Sequence, residues 1–431
     1  ASWFDEKLKT WKITTNTGEE INAQYFIMAT GCISTTQIPN IKGLSDYVGN
    51  TFHTGDWPHE EVDFSGQSIA VIGTGSSGIQ SIPVLAKQAK KLTVFQRTPN
   101  YSIPSQNEPM TKKYERSWKD VYSERRKEMR YSAHGSLKDL NDVPALSVDE
   151  DQRQELYTKR WAIGGTGFLG SFNDLLTNAD ANYTAAEYVR QQIKRVVKDK
   201  ETAEILCPRS YPIGTKRICI DTGYFETYNR ENVKLVDISK KPIQRLVTDG
   251  IIVDDQLYAF DSIIFATGFD AMTGSIFNVD IKGRGGLALK EKWNAGPKTY
   301  LGLMSASFPN LFMITGPGSP SVKSNMIMSI EQHVDLVIET LLSMRRKGLS
   351  VVEPELEAEN KWVDHVQEVA NKTLFPQANS WYMGANIPGK PRLFMPYIGG
   401  VGAYREICEE IVANNYRGFK FEKSKQAIAA E

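Results

Sequence analysis

An α/β fold built on a parallel, doubly wound sheet is predicted for these 431 residues, and three observations predict it. Ser68–Ile72 is a short apolar strand of the fully buried type. It runs into Gly73-Thr74-Gly75-Ser76-Ser77-Gly78, a complete G-x-G-x-x-G, and then into a helix. Strand signals keep returning between helical stretches, which is the alternation a parallel sheet requires.

Taken in order, the chain opens on a hairpin-like pair. Trp11–Thr15 and Glu20–Thr30 flank a turn at Asn16-Thr17-Gly18, and the second arm ends in Met28-Ala29-Thr30-Gly31. This reads as the middle of a domain. After the glycine loop, Ile79, Ile82, Leu85 and Ala86 are available to pack a helix on the sheet, and Lys91–Arg97 is the next strand. From about Tyr101 to Arg209 charged helical segments dominate, Met110–Arg130 among them. Two capping boxes, Ser147 with Glu150 and Thr184 with Glu187, are expected to open helices there. The second helix would set Val189, Ile193, Val196 and Val197 on one face. Further strands are predicted at Val233–Val236, Ile251–Tyr258, Ser262–Ala266 and Leu311–Thr315. Gly316-Pro317-Gly318-Ser319-Pro320 then leads into a long helix. That helix would carry Ile330, Val334, Val337, Ile338, Leu341 and Leu342 on one face, with Gly348 as its C′ residue.

Composition excludes several function classes. The 51 basic residues balance 51 acidic ones, so no net field exists to hold a nucleic acid or an anionic membrane, and neither is expected as a partner. Cys32, Cys207, Cys219 and Cys408 form no C-x-x-C pair, against a metal site, a disulfide scaffold or a redox dithiol. No apolar run approaches the ~20 residues that span a bilayer, and Ala1–Lys7 lacks the pattern of a signal peptide. A cytoplasmic, monomeric enzyme of two or three domains is the expectation.

The glycine loop has a mechanical reading. Gly73 allows the tight turn, Gly75 lets a pyrophosphate approach the backbone, and Gly78 lets the helix pack close to its strand. Backbone N–H groups at the helix N-terminus receive the phosphates. Thr74, Ser76, Ser77 and Gln80, in the loop and first turn, are cofactor contacts on this reading. At the end of the second strand an NAD site needs a carboxylate for the ribose hydroxyl. Here stand Arg97 and Thr98. A guanidinium binds a 2′-phosphate that a carboxylate would repel, so NADP is read over NAD. The plain alternative is a solvated arginine at a strand end.

Just ahead of the loop stands Tyr47-Val48-Gly49-Asn50-Thr51-Phe52-His53-Thr54-Gly55-Asp56-Trp57-Pro58. It resembles the Baeyer–Villiger monooxygenase fingerprint, F-x-G-x-x-x-H-x-x-x-W-[P/D], with Tyr47 in place of the phenylalanine. The resemblance continues through Gly214-Thr215-Lys216-Arg217, Ala266-Thr267-Gly268-Phe269-Asp270, Gly316–Ser321 and Trp381-Tyr382-Met383-Gly384-Ala385-Asn386. It is nearest to the phenylacetone and steroid monooxygenase branch. It implies two dinucleotide-binding, Rossmann-like doubly wound domains, for FAD and NADPH, with a helical insertion. On that pattern 1–34 and 270–431 belong to the FAD-binding domain, 35–103 and 213–269 to the NADP-binding domain, and 104–212 to the insertion. The family's FAD fingerprint is not in this chain. The resemblance implies a segment of roughly a hundred residues or more ahead of Ala1, about one small domain's worth, that carries it together with an active-site aspartate.

By the same resemblance, NADPH reduces the flavin, molecular oxygen is activated there, and one oxygen atom enters a ketone to give an ester or lactone. Sulfide oxidation is a possible side activity. Arg217 is the expected catalytic residue, because an anionic oxygen beside a flavin needs a fixed, always-protonated cation, although a surface arginine before a strand reads the same. Lys216 would join Arg97 and Thr98 at the 2′-phosphate, although a solvated lysine reads the same. Trp381 would border the nicotinamide or ribose, although a core tryptophan would look identical. Ser321–Met326, with Asn325 and Met326, would form a bulged loop near flavin and substrate. His53 and Trp57 are read as structural or conformational. The rival readings are an N- or S-oxidising flavoprotein monooxygenase and an NADPH-binding module without turnover.

Overall fold

The computed structural model describes residues 1–321 and 323–423, in two compact units. One comprises Thr35–Pro109 and Lys138–Phe269; the other comprises Ala1–Ser34, Met110–Leu137 and Asp270–Glu431.

The first of these units holds a five-stranded sheet with every neighbour parallel. Its order is Val233–Asp237, Lys91–Gln96, Ser68–Ile72, Ser262–Phe265, Asn50–His53. Its inner strands read as unbroken apolar runs because both faces are covered, as parallel sheets require. Ile69, Ala70, Val71, Ile263 and Ile264 have no exposed surface. The segment expected as one strand at Ile251–Tyr258 is instead a hairpin, Gly250–Val253 against Gln256–Ala259. Asp254 and Asp255 turn it with φ of +52° and +58°, a backbone that short polar side chains tolerate.

Both expected capping boxes are corrected. Asp149, not Ser147, caps the helix Glu150–Ile163, accepting from the Gln152 N–H at 2.9 Å. The helix Ala179–Val196 starts from Asn178, and Thr184 lies inside it with its hydroxyl bonded back to the Ala181 carbonyl. Asp and Asn cap at least as well as Ser and Thr, and here each won by its place ahead of the helix. The expected face survives, with Val189, Ile193 and Val197 buried.

The other unit opens on a four-stranded sheet ordered Ile281–Lys282, Ser2–Asp5, Thr10–Thr14, Glu20–Ala23. The expected hairpin is its Thr10–Thr14 and Glu20–Ala23 arm; Ser2–Asp5 is an additional strand. Phe26–Met28 pairs in parallel with Leu311–Met313. Leu349–Pro354 pairs antiparallel with Phe419–Lys423. Trp11, Trp293 and Phe308 centre one core, and Phe312, Trp362 and Tyr404 another. The stretch expected as one insertion at 104–212 is divided: Met110–Leu137 groups with this unit, as helices Lys112–Lys119 and Tyr122–Tyr131. Arg126 ties them to Glu331 of the long helix.

That long helix, Met326–Arg346, buries a different face from the expected one. Ser329, Gln332, His333, Leu336, Val337 and Thr340 point inward, while Val334, Ile338 and Leu342 are exposed. Polar residues go inside because several find partners there, His333 at both ring nitrogens. Gly348 follows the helix at φ +63° with its N–H on the Arg345 carbonyl, as expected. No helix among the described residues is long and apolar enough to cross a membrane.

Candidate active site

Each glycine of the phosphate loop meets a different constraint. Gly73 has φ +110°, and a Cβ there would lie 2.5 Å from the Ala266 carbonyl oxygen. Only glycine fits both demands. Gly75 ends the loop at the N-cap of the helix Ser76–Gln88, with an ordinary φ of −78° and no side-chain cap. A Cβ on it would meet nothing within 4 Å. Free N–H groups of the first turn and an open approach are what a pyrophosphate requires. A Cβ on Gly78 would stand 2.4 Å from the Gly73 carbonyl oxygen, so the helix leaves the strand at close range.

The neighbouring side chains brace this loop. The buried Thr74 hydroxyl donates to the Thr98 carbonyl at 3.1 Å, and Asn100 donates to the Thr74 carbonyl at 2.7 Å. Thr74 therefore offers a ligand its backbone, not its hydroxyl. Ser76 contacts the Cys219 thiol, and Gln80 donates to the Ile220 carbonyl at 3.4 Å. Ser77 lies half-buried in the first turn.

A cationic cluster stands beside the loop. Arg97 is exposed just past its strand. Lys216 lies over the Tyr211 ring at 4.4 Å. Burial, then the nearby Arg97 guanidinium, brings its ammonium down to about 8. No carboxylate is among the groups acting on it, so the pair is electrostatically matched to a dianion rather than to a protein partner. The next residue, Arg217, is exposed, and its carbonyl accepts from the Cys219 thiol. The structure thus brings Gly73–Gly78, Thr98, Arg97, Lys216 and Arg217 into one unit, and the donor set suits NADP.

The fingerprint histidine is locked within the same unit. His53 is buried, its Nδ1 accepts from the Gly55 N–H at 3.0 Å, and Nε2 lies 3.4 Å from the Thr267 hydroxyl. Burial holds it below its ordinary value, so it is neutral near pH 7. Trp57 packs on Phe52 and Phe64.

The remaining candidates belong to the other unit. Trp381 and Met326 pack together around Cys32, Ala271, Met272 and Met395. Asn325 caps the long helix, its side-chain oxygen accepting from the Ile327 N–H at 3.1 Å. Of the loop expected at Ser321–Met326, residue 322 lies outside the described residues. Lys390, which sequence reasoning missed, is mostly buried and donates to Asp270 Oδ1 and the Ala271 carbonyl, both at 2.6 Å. It ties the segment after Trp381 to the one carrying Met272. A lysine nine residues after a tryptophan carries no signal of such a bond.

A parallel sheet with a G-x-G-x-x-G loop at its centre and cations beside it is the architecture of a pyridine-nucleotide oxidoreductase. Residues 5–214 match a family described as pyridine nucleotide-disulphide oxidoreductase. The four cysteines are all buried free thiols, so the disulfide chemistry in that description has no counterpart here. A Baeyer-Villiger monooxygenase of Pseudooceanicola batsensis is 37% identical over 429 residues, covering 99% of this chain and 78% of the relative. A cyclohexanone 1,2-monooxygenase of an Acinetobacter species is 36% identical, covering 99% and 78%. A solved steroid monooxygenase bound to NADP superposes with a TM-score of 0.91 at 44% identity, over 98% of this chain and 80% of that one. The chain belongs to the Baeyer–Villiger monooxygenase family, and it is a flavoprotein monooxygenase.

Proposed function

We propose that the enzyme uses FAD and NADPH to insert one atom of molecular oxygen into ketones, giving esters or lactones. The other oxygen atom leaves as water, and NADPH is oxidised to NADP+. The observation that carries the reading is the half-buried Lys216 beside Arg97, followed in the chain by the exposed Arg217; to Lys216 and Arg217 we assign different tasks. The flavin, when bound, supplies the activated oxygen.

The chain's own residues do the rest. N–H groups of Ser76, Ser77 and Gly78 bind the pyrophosphate over Gly75, with Gln80 in the same turn. Arg97, Thr98 and Lys216 hold the 2′-phosphate. Arg217 meets the negative charge that develops on oxygen, and a preorganised donor of this kind is worth on the order of 3 kcal/mol in the barrier. Trp381 borders the nicotinamide, and Asn325 and Met326 line the flavin and substrate side. Residues 1–34 and 270–431, joined by 110–137, form the FAD-binding domain, 35–103 and 213–269 the NADP-binding domain, and the rest of 104–212 a helical insertion. Four free thiols suit a reducing compartment, the cytoplasm. The test is Arg217→Ala in the holoenzyme. It should still oxidise NADPH and release hydrogen peroxide, yet make no ester; a normal ester yield would refute the assignment.

A further inference from the structure

Thr315 is a β-branched residue in left-handed backbone, with φ +54°, and Leu301 is a second non-glycine residue there, with φ +59°. Such residues avoid this region, and observed outliers of this kind persist only where the surroundings force them. Two buried side chains hold both. His333 Nδ1 accepts from the Thr315 N–H at 3.0 Å, and Nε2 lies 2.8 Å from the Tyr404 hydroxyl. That hydroxyl donates to the Leu301 carbonyl at 2.6 Å. A backbone N–H only donates, and the hydroxyl proton is committed to Leu301. His333 therefore carries its proton on Nε2, and every bond of the relay has one direction. Both side chains have no exposed surface.

Thr315 is the root of the Gly316–Ser321 loop, whose carbonyls are taken one after another. Gly316 accepts from Ser319, Pro317 from Thr299, Gly318 from the Trp362 indole, Ser319 from the Tyr397 N–H, and Pro320 from Ser329. The loop is fastened along its length, and its strained end is fastened by His333.

We propose that His333 and Tyr404 are positioning residues for oxygenation, holding Thr315 and Leu301 left-handed so that the Thr315–Ser321 loop presents one conformation to the flavin. The proposal rests on the functional reading above, which sets Asn325 and Met326, a few residues beyond this loop, on the flavin and substrate side; the fastening itself is a property of the unit.

The test compares the holoenzyme with His333→Leu, Tyr404→Phe and the double variant His333→Leu/Thr315→Gly. The readouts are the rate of FAD release and the share of consumed NADPH recovered as ester instead of hydrogen peroxide. Both single variants should release FAD about 5-fold faster and lose about 5-fold in that share, the scale of one lost buried hydrogen bond. The KM for NADPH should stay within about 2-fold, because the 2′-phosphate residues belong to the other unit. Glycine at 315 removes the backbone penalty, so the double variant should regain most of the loss. A purely structural role would lower melting temperature alone. Unchanged readouts in flavin-loaded molecules, or no recovery with glycine, would overturn the proposal. Should His333→Leu not fold, Tyr404→Phe decides, since it removes a single oxygen atom. If the unaltered enzyme oxidises no ketone, the functional reading falls, and FAD release still tests the fastening.

Discussion

Lys216 sits beside Arg97 with no carboxylate acting on it, and burial followed by that guanidinium brings its ammonium down to about 8. On the proposed reading these neighbouring cations receive the 2′-phosphate dianion. Arg97→Ala should narrow the NADPH-over-NADH preference by about 1.5–3 kcal/mol, the range for a charged hydrogen bond. Steady-state kinetics with both cofactors measures it. The same pair predicts a pH dependence. Below pH 8 Lys216 is charged in the free enzyme; as pH rises through that value it loses its proton and its hold on the phosphate. The KM for NADPH should climb above pH 8, and the KM for NADH should not follow.

Gly73 and Gly75 should separate folding from binding. Gly73→Ala forces a side chain into left-handed backbone and against the Ala266 carbonyl, so it should destabilise by about 2 kcal/mol or more. Gly75→Ala meets open space at an ordinary φ. Its unfolding free energy should stay within about 0.5 kcal/mol of the parent. Its NADPH affinity should fall at least about tenfold, because the methyl occupies the phosphate's approach. Denaturant unfolding and NADPH titration, run on both variants, distinguish the two roles.

His333 predicts how the protein responds to acid. Burial pushes its ring down to about 4 from the ordinary 6.5. The unfolded chain takes up this proton first as pH falls, so stability is full above 6.5 and declines from 6.5 towards 4, with no further loss below. At pH 5 the decline from this one group should be about 2 kcal/mol. Urea unfolding at pH 7.5 and pH 5, for the parent and for His333→Asn, checks it. The asparagine variant should lose this contribution to the pH dependence.

The parts legible in the sequence are those where chemistry needs particular residue types in a short span. Gly73–Gly78 follows a buried strand and opens a helix, the context that makes a glycine pattern specific. The fingerprint around His53 and Trp57 and the Lys216-Arg217 pair were legible as family motifs, and the family is what the relatives show. What was hidden depends on distant chain. His333 and Tyr404 are 71 residues apart, and their outer partners are backbone groups that no side-chain pattern records. The buried face of the long helix was misread because hydrogen-bonded His333 takes an inward position that periodicity assigns to Val334 or Ile338. The helix starts at Asp149 and Asn178 were overlooked in favour of nearby Ser and Thr, a choice that spacing alone does not make.

The central claim is ketone oxygenation driven by NADPH, and labelled oxygen tests it most directly. Holoenzyme, NADPH and a panel of cyclic and aryl ketones are incubated under 18O2, and the products are weighed by mass spectrometry. The account predicts an ester or lactone carrying one 18O atom, formed in step with NADPH consumed. NADPH oxidation that yields only hydrogen peroxide with every ketone, or an ester without the label, would contradict it.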